Sequence, residues 1–395
     1  MENKSIVISK KEECCGCSAC FSICPTKAIS MNEDGEGFQY PTVSSDKCIN
    51  CGLCTAVCPL KKNPDLVNKQ EYYAVKNTDD ICRKESTSGG VFSLLAEYIL
   101  QNSGVIYGAD FDENFEVHHR RDTGDNWYRF KGAKYVQSDM KSVFEEVGVD
   151  LEKSLFVMFT GTPCQVAGLK EYLNKKKISM EKLLTCDLVC HGVPSPKIWR
   201  DYLQNICNIQ EVGSVSFRSK ESGGWHDSRL LIANRDKEVI REIKQGKGTY
   251  LSAFSNNVSL RPSCYECKYT NFDRVGDFTL GDFWGIEKTK PEIDDNKGIS
   301  LLMVNSEKAS RIWSQISDKA DVVQMNKEEC IQPNLVSPSQ PYGDRELFWR
   351  VYTKHGLEAA CKMMGYTEVS GLTRMSYTIY RKCIRVVDKL SSIIK

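Results

Sequence analysis

The chain has 395 residues, with 53 basic and 52 acidic side chains and 41% hydrophobic residues, which leaves room for two or three domains of roughly 100–200 residues each. This composition excludes global disorder, and the near-zero net charge gives no sign of a nucleic-acid partner. Apolar runs such as Val91–Leu100 fall short of the ~18 residues of a membrane span, and the N-terminus MENKSIVISK lacks the apolar stretch of a signal peptide.

The chain is rich in cysteine. Nineteen cysteines without a signal peptide predict metal or redox chemistry in a reducing cytoplasm rather than a disulfide framework. Nine of the nineteen lie within the first 60 residues. We therefore expect a cytoplasmic protein with a small metal domain at residues 1–65.

The N-terminal cysteines form an internal repeat. The pattern C-x2-C-x2-C-x3-C followed by proline occurs twice, 34 residues apart. It is the cysteine run of bacterial ferredoxins, in which the fourth cysteine of each run ligates the other cluster. The spacing thus predicts one [4Fe–4S] cluster on Cys14, Cys17, Cys20 and Cys58, and a second on Cys48, Cys51, Cys54 and Cys24. Two zinc knuckles are the alternative, disfavoured because zinc sites usually use two separated cysteine pairs. Cys15 is left as a spare thiol.

A larger α/β domain is predicted for residues 70–370, after a polar linker at Lys61–Lys69. Apolar runs typical of strands are Val105–Phe111, Leu155–Phe159, Leu183–Val189, Val215–Arg218 and Phe278–Leu280. Helical patterns include Val91–Leu100, Lys170–Leu173 and Ile198–Ile206. The chain contains neither G-x-G-x-x-G nor a P-loop motif, so a Rossmann dinucleotide site is unsupported.

Three polar turns connect predicted strands to predicted helices. They are Thr87–Gly90, Thr160–Pro163 and Cys190–Pro196. In the second and third turns, Thr162 and Ser195 are predicted helix N-caps, each followed by proline at the first helical position. Free N–H groups at such helix ends bind anions such as the phosphates of a nucleotide. The alternative is that these are simply well-capped helices.

Four cysteines of the larger domain could form a third metal site. Cys264 and Cys267 form a C-x2-C pair, while Cys164 and Cys190 lie in two of the polar turns. If the turns meet at one sheet edge, these thiols come together. Two alternatives stay open, namely unligated cysteines, or a reactive low-pKa Cys164 at a helix N-terminus.

Four sequence segments resemble the coenzyme F-420 hydrogenase/dehydrogenase beta-subunit family, in its bacterial branch with a fused N-terminal ferredoxin domain. The segments are ESTSGGVFSLLAEYIL, FTGTPCQVAGL, CHGVPSPKIW and RPSCYECKYTNFDRVGDFTLGDFWG. The resemblance implies an α+β ferredoxin-like N-terminal domain fused to a larger α/β flavin-binding domain that is not Rossmann-type. It also implies FAD as cofactor and a third [4Fe–4S] cluster on Cys164, Cys190, Cys264 and Cys267.

The resemblance also suggests which residues bind FAD. It places Ser88, Gly89 and Gly90 at the flavin, together with Thr160, Gly161, Thr162 and Pro163. Further neighbours are expected in the GAKYVQSD segment, namely Lys134, Tyr135, Gln137 and Ser138. Because clusters carry single electrons and flavins also donate pairs, such a combination suits a reductase.

Other polar residues are candidates for substrate chemistry. His191 and His226 lie in glycine-flanked loops and are acid–base candidates, with structural loop histidines as the alternative. The loop with Arg218, Lys220 and Trp225 is expected either to close over an anionic or sugar-like substrate or to be a solvated loop. Asp277 and Asp282 are expected to organise the turn after the C-x2-C pair.

The C-terminal stretch, residues 371–395, is basic and amphipathic and predicts a helix. We expect it to pack on the protein or on a partner, with attachment to a membrane surface as the alternative.

Together these patterns predict a cytoplasmic iron–sulfur flavoprotein oxidoreductase of an anaerobe. Its expected partners are a ferredoxin-type electron donor or acceptor, a small-molecule substrate and a second copy of the chain in a homo-oligomer. Two other functions stay open. One is an electron-transfer subunit whose FAD serves a partner enzyme, and the other is a metal-stabilised binding module without turnover.

Overall fold

The computed structural model describes residues 4–62, 69–206 and 208–367. The described residues form a two-stranded, a three-stranded and an eight-stranded sheet, with helices packed around them. The strands are β1 (Ile29–Glu33), β2 (Gln39–Val43), β3 (Glu71–Asn77), β4 (Val105–Phe111), β5 (Val117–Asp122), β6 (Val157–Gly161), β7 (Leu183–Leu188), β8 (Val212–Ser219), β9 (Arg229–Asn234), β10 (Val239–Lys244), β11 (Phe278–Asp282), β12 (Ser300–Val304) and β13 (Ala320–Met325).

The helices are mostly short. They are α1 (Ala19–Ile23), α2 (Leu53–Ala56), α3 (Asp80–Glu85), α4 (Val91–Gln101), α5 (Val143–Glu152), α6 (Pro163–Lys176), α7 (Pro196–Ile206), α8 (Thr249–Ser255), α9 (Ile286–Thr289), α10 (Glu307–Ile316) and α11 (Arg345–Met364). Among the described residues, none of these helices is both long and apolar enough to cross a membrane. The predicted C-terminal helix lies outside the described residues.

The N-terminal module repeats its backbone as well as its sequence. α1 and α2 begin after Ser18 and Gly52, which are 34 positions apart and both adopt a left-handed conformation, with φ of 63° and 76°. Cys24 and Cys58, the corresponding last cysteines of the two runs, are both extended. The antiparallel β1–β2 hairpin lies between the two halves. The internal repeat therefore predicts the local structure correctly.

The eight-stranded sheet is mixed, in the order β13-β3-β12-β11-β7-β6-β4-β5. β4, β6, β7 and β11 run parallel, and β12 pairs antiparallel with both β11 and β3. The central strands are apolar on both faces, as β12 (SLLMV) is buried at every residue, which fits a sheet covered on both sides. β3 consequently runs in the same direction as β11. The carboxyl ends of five strands therefore lie at one edge of the sheet, namely those of β3, β4, β6, β7 and β11.

Both faces of this sheet are covered. Leu94 and Leu95 of α4 and Trp313 of α10 pack on one face. Phe144 of α5 and Leu169 of α6 belong to the apolar cluster on the other face. That second cluster also contains Ile23 and Val57 of the N-terminal module, so the module shares its core with the larger part of the chain.

The predicted strands and helices of the larger part of the chain are all present, with shifted ends. The turn Thr87–Gly90 was predicted to follow a strand, but it follows α3 and so connects two helices. The run Leu155–Phe159 becomes β6, which begins at Val157, and Lys170–Leu173 lies within α6. Val215–Arg218 is part of β8, in a separate antiparallel sheet with β9 and β10. The fold is a mixed α/β arrangement with the ferredoxin-type module at its N-terminus.

Candidate functional site

The first predicted set of ferredoxin thiols is brought together in the interior. Cys14, Cys20 and Cys58 lie close enough for their charges to interact, and Cys17 interacts with Cys20 and Cys58. Burial, followed by the neighbouring Cys14 and Cys58 thiols, raises the pKa of Cys20. Thiols that oppose one another's ionisation in this way need a bound cation to become thiolates. This group, the inner thiols, therefore suits a cluster.

The second predicted set lies closer to solvent. Cys24, Cys48, Cys51 and Cys54 line one hollow of about 340 Å³, part of it open to solvent. Backbone N–H groups donate to two of these sulfurs, from Ala28 to Cys24 at 3.2 Å and from Ile6 to Cys54 at 3.2 Å. Such hydrogen bonds are a common feature around cluster ligands. We call this set the outer thiols, because Cys51 is exposed. Four thiols around one hollow fit a cubane cluster.

Cys164, Cys190, Cys264 and Cys267 also come together, at the carboxyl-end edge of the sheet. Cys164 is the second residue of α6, and Cys190 follows β7. Burial, and then the charges of Cys264, Cys164 and Cys267, raises the pKa of Cys190. Burial likewise raises the pKa of Cys264 to about 12. These four, the sheet-edge thiols, are the set that the sequence suggested.

Backbone pairing explains why the sheet-edge thiols meet. The N–H of Arg261 donates to the carbonyl of Val193 at 2.9 Å, and that of Ser195 donates to Ser259 at 3.0 Å. This short antiparallel contact joins the turn after Cys190 to the segment before Cys264. The two segments are about 70 positions apart in sequence, and so are Cys190 and Cys264. No local sequence pattern therefore predicts that they pair.

Cys15, the thiol that the ligand pattern leaves spare, lies between the inner and the sheet-edge thiols. It is buried, and its thiol contacts those of both Cys17 and Cys164. Directly after Cys267 the chain contacts the ferredoxin module again, because Lys268 and Tyr269 donate to the carbonyls of Leu60 and Pro59 respectively. The inner and sheet-edge thiols are therefore neighbours.

The three predicted flavin segments also meet at this edge. The N–H of Ala133 donates to Thr87 Oγ1 at 2.7 Å, and that of Gln137 donates to the carbonyl of Pro194 at 3.0 Å. His119, which was not predicted from the sequence, connects the segment containing Ser138 to the turn containing Thr160. Its Nδ1 lies 2.5 Å from Ser138 Oγ and its Nε2 lies 2.8 Å from the carbonyl of Thr160. Residues 133–138 therefore bond directly to the turns at Thr87 and Pro194, and they are linked to the turn at Thr160 through His119.

The helix ends at this edge are capped as predicted. Thr162 and Gln165 form a capping box at the start of α6, with Pro163 at the first helical position. Ser195 Oγ accepts from the N–H of Ile198 at 3.2 Å at the start of α7. The N-terminus of α6 is therefore capped, and it directly follows the end of β6 at Thr160 and Gly161.

The predicted flavin residues fit a phosphate-bearing cofactor, although not all for the expected reason. Ser93, in the first turn of α4, buries a hydroxyl that has no hydrogen-bond partner among the described residues. Lys134, in contrast, already donates from Nζ to the carbonyls of Arg129 at 2.9 Å and Lys131 at 3.1 Å. Gly89 has another role, because its N–H donates to Ser300 Oγ and a Cβ there would collide with the carbonyl of Val75. Gly89 is required by strand packing.

The candidate substrate residues have different surroundings. His191 Nε2 lies 2.6 Å from Asn257 Oδ1 and its ring packs on Phe254. His226 is exposed, and its Nε2 lies 2.7 Å from Asp294 Oδ2.

The loop proposed to bind an anionic substrate has its charges bound internally. Arg218 pairs with Asp282 at 3.1 Å. Lys220 donates to the carbonyls of Arg83, Ser88 and Lys297, and Trp225 is buried. Neither cation is therefore free to bind a substrate in this arrangement.

The turn after the C-x2-C pair is organised by a different aspartate from those expected. Asp187 accepts from the N–H groups of Val275 and Gly276 and pairs with Arg274. Asp282 instead pairs with Arg218 and accepts from Trp225. Asp187 lies far from this turn in sequence, so the local pattern gave no signal for it.

Comparison with known proteins identifies both parts of the chain. Residues 156–329 match the family model for the C-terminal region of the beta subunit of coenzyme F420 hydrogenase/dehydrogenase, and residues 13–62 match the 4Fe-4S dicluster domain. The sheet-edge thiols lie within the first match, and the inner and outer thiols lie within the second. No curated protein matches the chain.

A solved structure is also similar. It is the xenon-derivatised F420-reducing [NiFe] hydrogenase complex from Methanosarcina barkeri, with 17% identity over 76% of this chain and 91% of that chain, and a TM-score of 0.46. Together, the two family matches support an iron–sulfur electron-transfer oxidoreductase whose residues 156–329 are similar to the beta subunit of coenzyme F420 hydrogenase/dehydrogenase.

Proposed function

We propose that the protein is a cytoplasmic iron–sulfur flavoprotein oxidoreductase. In this proposal it takes single electrons from a ferredoxin-type donor, relays them along three [4Fe–4S] clusters to FAD, and reduces a small two-electron organic acceptor. The observation that carries the proposal is the position of the sheet-edge thiols. They lie next to the inner ferredoxin thiols on one side and the polar turns around Thr160 on the other.

The burial of the three thiol groups supports an order for the relay. Each group has one buried thiol, Cys17 in the inner group and Cys54 in the outer group. Only the outer group has an exposed thiol, Cys51, and the remaining thiols of both groups are half-buried. The Cys15 thiol contacts both Cys17 and Cys164. At this point a single side chain, that of Cys15, therefore separates the inner thiols from the sheet-edge thiols. Electrons would therefore enter at the outer thiols and end at the sheet edge.

The sheet edge supplies the groups that a flavin dinucleotide needs. The N-terminus of α6, at Thr162 and Pro163, would bind its phosphates. The segments that would surround the cofactor are Ser88–Gly90, Thr160, Gly161, Lys134, Tyr135, Gln137 and Ser138. FAD, when bound, would convert one-electron into two-electron chemistry. Strand packing explains why residue 89 is glycine. We therefore propose that the turn Ser88–Gly90 contacts FAD through its backbone and not through side chains.

His191 and His226 remain the proposed proton donors to the acceptor. His226 supports this role better, because it is exposed and its ring nitrogen faces Asp294, whose carboxylate would hold the imidazole in one orientation. A His226→Gln variant should keep the clusters and the flavin while losing turnover with the organic acceptor.

The test of the proposed function is a reduction and reoxidation experiment. The full chain is purified without oxygen, reduced with dithionite, and mixed with candidate organic acceptors while the visible spectrum is followed. Reoxidation of both flavin and clusters by an organic acceptor supports a complete reductase. Reoxidation only by a partner protein would favour an electron-transfer subunit. Zinc in place of iron, with no flavin, would overturn the proposal in favour of a binding module.

A further inference from the structure

Arg261 places a guanidinium at the junction of the ferredoxin module and the sheet edge. The residue is 0% exposed. Its Nε donates to the carbonyl of Cys14 at 2.7 Å, and its Nη2 donates to the carbonyl of Gln39 at 2.9 Å and lies 3.4 Å from Cys14 Sγ. Nη1 donates to Gln137 Oε1 at 3.0 Å. The guanidinium also lies 4.3 Å from the centre of the Tyr40 ring.

Arg261 differs from the other buried arginines in its partners. Arg83, Arg218 and Arg274 each pair with a carboxylate, from Asp295, Asp282 and Asp187 respectively. Within the described ranges, Arg261 forms an ion pair with no carboxylate; the nearby acids Asp34 and Glu36 pair with Lys11 and Arg345. A buried charge without a counter-charge is strongly unfavourable. An anion of another kind is therefore expected beside Arg261.

The cysteines supply that anion. The groups whose charges act on Arg261 include Cys14, Cys15 and Cys264, and Cys14 belongs to the inner thiols. A [4Fe–4S] core with four thiolate ligands is a net anion, and it gains a further negative charge on reduction. Net charge and hydrogen bonds to the sulfurs are among the factors that set cluster potentials. Arg261 provides both, next to the inner thiols.

We infer that Arg261 is a positioning residue that raises the reduction potential of the cluster on the inner thiols above that of the outer one. The inference rests on the proposed function. A single electron leaves the outer group and arrives at the inner group, with no bond made or broken and no proton moved. The buried Arg261 cation stabilises the reduced form of the cluster on the inner thiols. The electron is therefore held at the cluster that is next to the sheet-edge thiols.

The test compares three variants of the full chain by redox titration, followed by electron paramagnetic resonance. In Arg261→Gln the buried charge is removed, and we expect the higher of the two ferredoxin potentials to fall. The ratio of reduced to oxidised cluster at a fixed potential should drop at least tenfold, which is about 59 mV for a one-electron couple. Lys47→Gln is the matched control, because Lys47 is next to Cys48 but exposed, and solvent screens its charge. This control should leave both potentials nearly unchanged.

Iron content separates the outcomes. If the unmodified chain contains no iron, the proposed function fails. If Arg261→Gln retains its iron and both ferredoxin potentials, the inference alone is overturned. If Arg261→Gln does not retain iron, Arg261→Lys decides: it keeps the charge but loses the N–H group facing Cys14 Sγ, so a smaller fall in the same potential is expected. An unchanged potential in a fully loaded Arg261→Lys would assign the effect to the charge alone, and a higher potential would overturn the inference.

Discussion

At the scale of single residues, the sheet-edge thiols make the sharpest prediction. Replacing Cys264 and Cys267 together by serine should lower the iron content by about four atoms per chain and leave about eight in the ferredoxin module. The reason is that these two thiols would supply half of one ligand set. Iron and acid-labile sulfide assays on anaerobically purified protein measure the change. Cys330→Ser, also at a buried cysteine, should keep all the iron. Unchanged iron in the double variant would remove the third cluster from the account.

His119 predicts a pH dependence of stability. Burial lowers its pKa to about 4, below the ordinary value of about 6.5. A base with a lowered folded-state pKa is protonated more readily in the unfolded chain. Its contribution is therefore complete above about pH 6.5, and is lost as the pH falls towards the folded-state value. From about pH 7 to about pH 5 this group should cost about 2 kcal/mol of unfolding free energy.

Denaturant titrations at several pH values test this prediction. His119→Gln lacks the titrating group, so its stability should fall less steeply over the same pH range. His355→Gln removes an exposed histidine and should retain the original slope. Equal slopes for all three proteins would show that His119 titrates normally in the fold.

Single residues also show where sequence reasoning ends. The eight ferredoxin cysteines were predicted because their spacing is a local pattern. Cys15 and Arg261 were not, because their importance comes from Cys164 and Cys14, which lie far away in sequence. The RPSC string did place Arg261 near the C-x2-C pair, but nothing in the sequence indicates that its charge is buried.

At the scale of elements, the N-terminus of α6 connects stability to cofactor binding. Thr162→Ala removes the capping hydroxyl and should cost about 1 kcal/mol of unfolding free energy. Because the same helix end would bind a phosphate of FAD, flavin content should also fall. Flavin is measured after denaturation by its absorbance, and stability by denaturant titration.

Ser306→Ala provides the matched comparison. Ser306 caps α10, where its side chain accepts from the N–H of Ala309, and α10 packs on the opposite sheet face from α6. The stability loss should be at least as large, because Ser306 Oγ also donates to Asp277 Oδ1 at 2.7 Å, but flavin should be retained. Equal flavin retention in both variants would contradict a role for the α6 N-terminus in binding the cofactor.

The elements themselves were largely predictable, while their pairing was not. Apolar runs and Thr-Pro or Ser-Pro signals located strands and capped helices correctly, since these depend on neighbouring residues. The loop with Arg218 and Lys220 was expected either to close over a substrate or to be solvated. Instead, Arg218 pairs with Asp282 and Lys220 donates hydrogen bonds to the carbonyls of Arg83, Ser88 and Lys297. Only the pairing of segments far apart in sequence brings those groups close.

At the scale of the whole molecule, the three thiol groups form one succession from the surface to the sheet edge. The ferredoxin module shares an apolar cluster with α5 and α6, and Arg261, Lys268 and Tyr269 contact its backbone. Such contacts fix the inner thiols against the sheet-edge thiols. A relay between metal groups requires this kind of fixed proximity, and a loosely attached module would not provide it.

Metal and flavin analysis of the full chain tests the central claim most directly. Protein made without oxygen and with iron supplied should be brown, and should contain about twelve iron atoms, equal sulfide and about one FAD per chain. Its visible absorbance should bleach with dithionite. A colourless protein, or one with bound zinc and neither sulfide nor flavin, would contradict the claim.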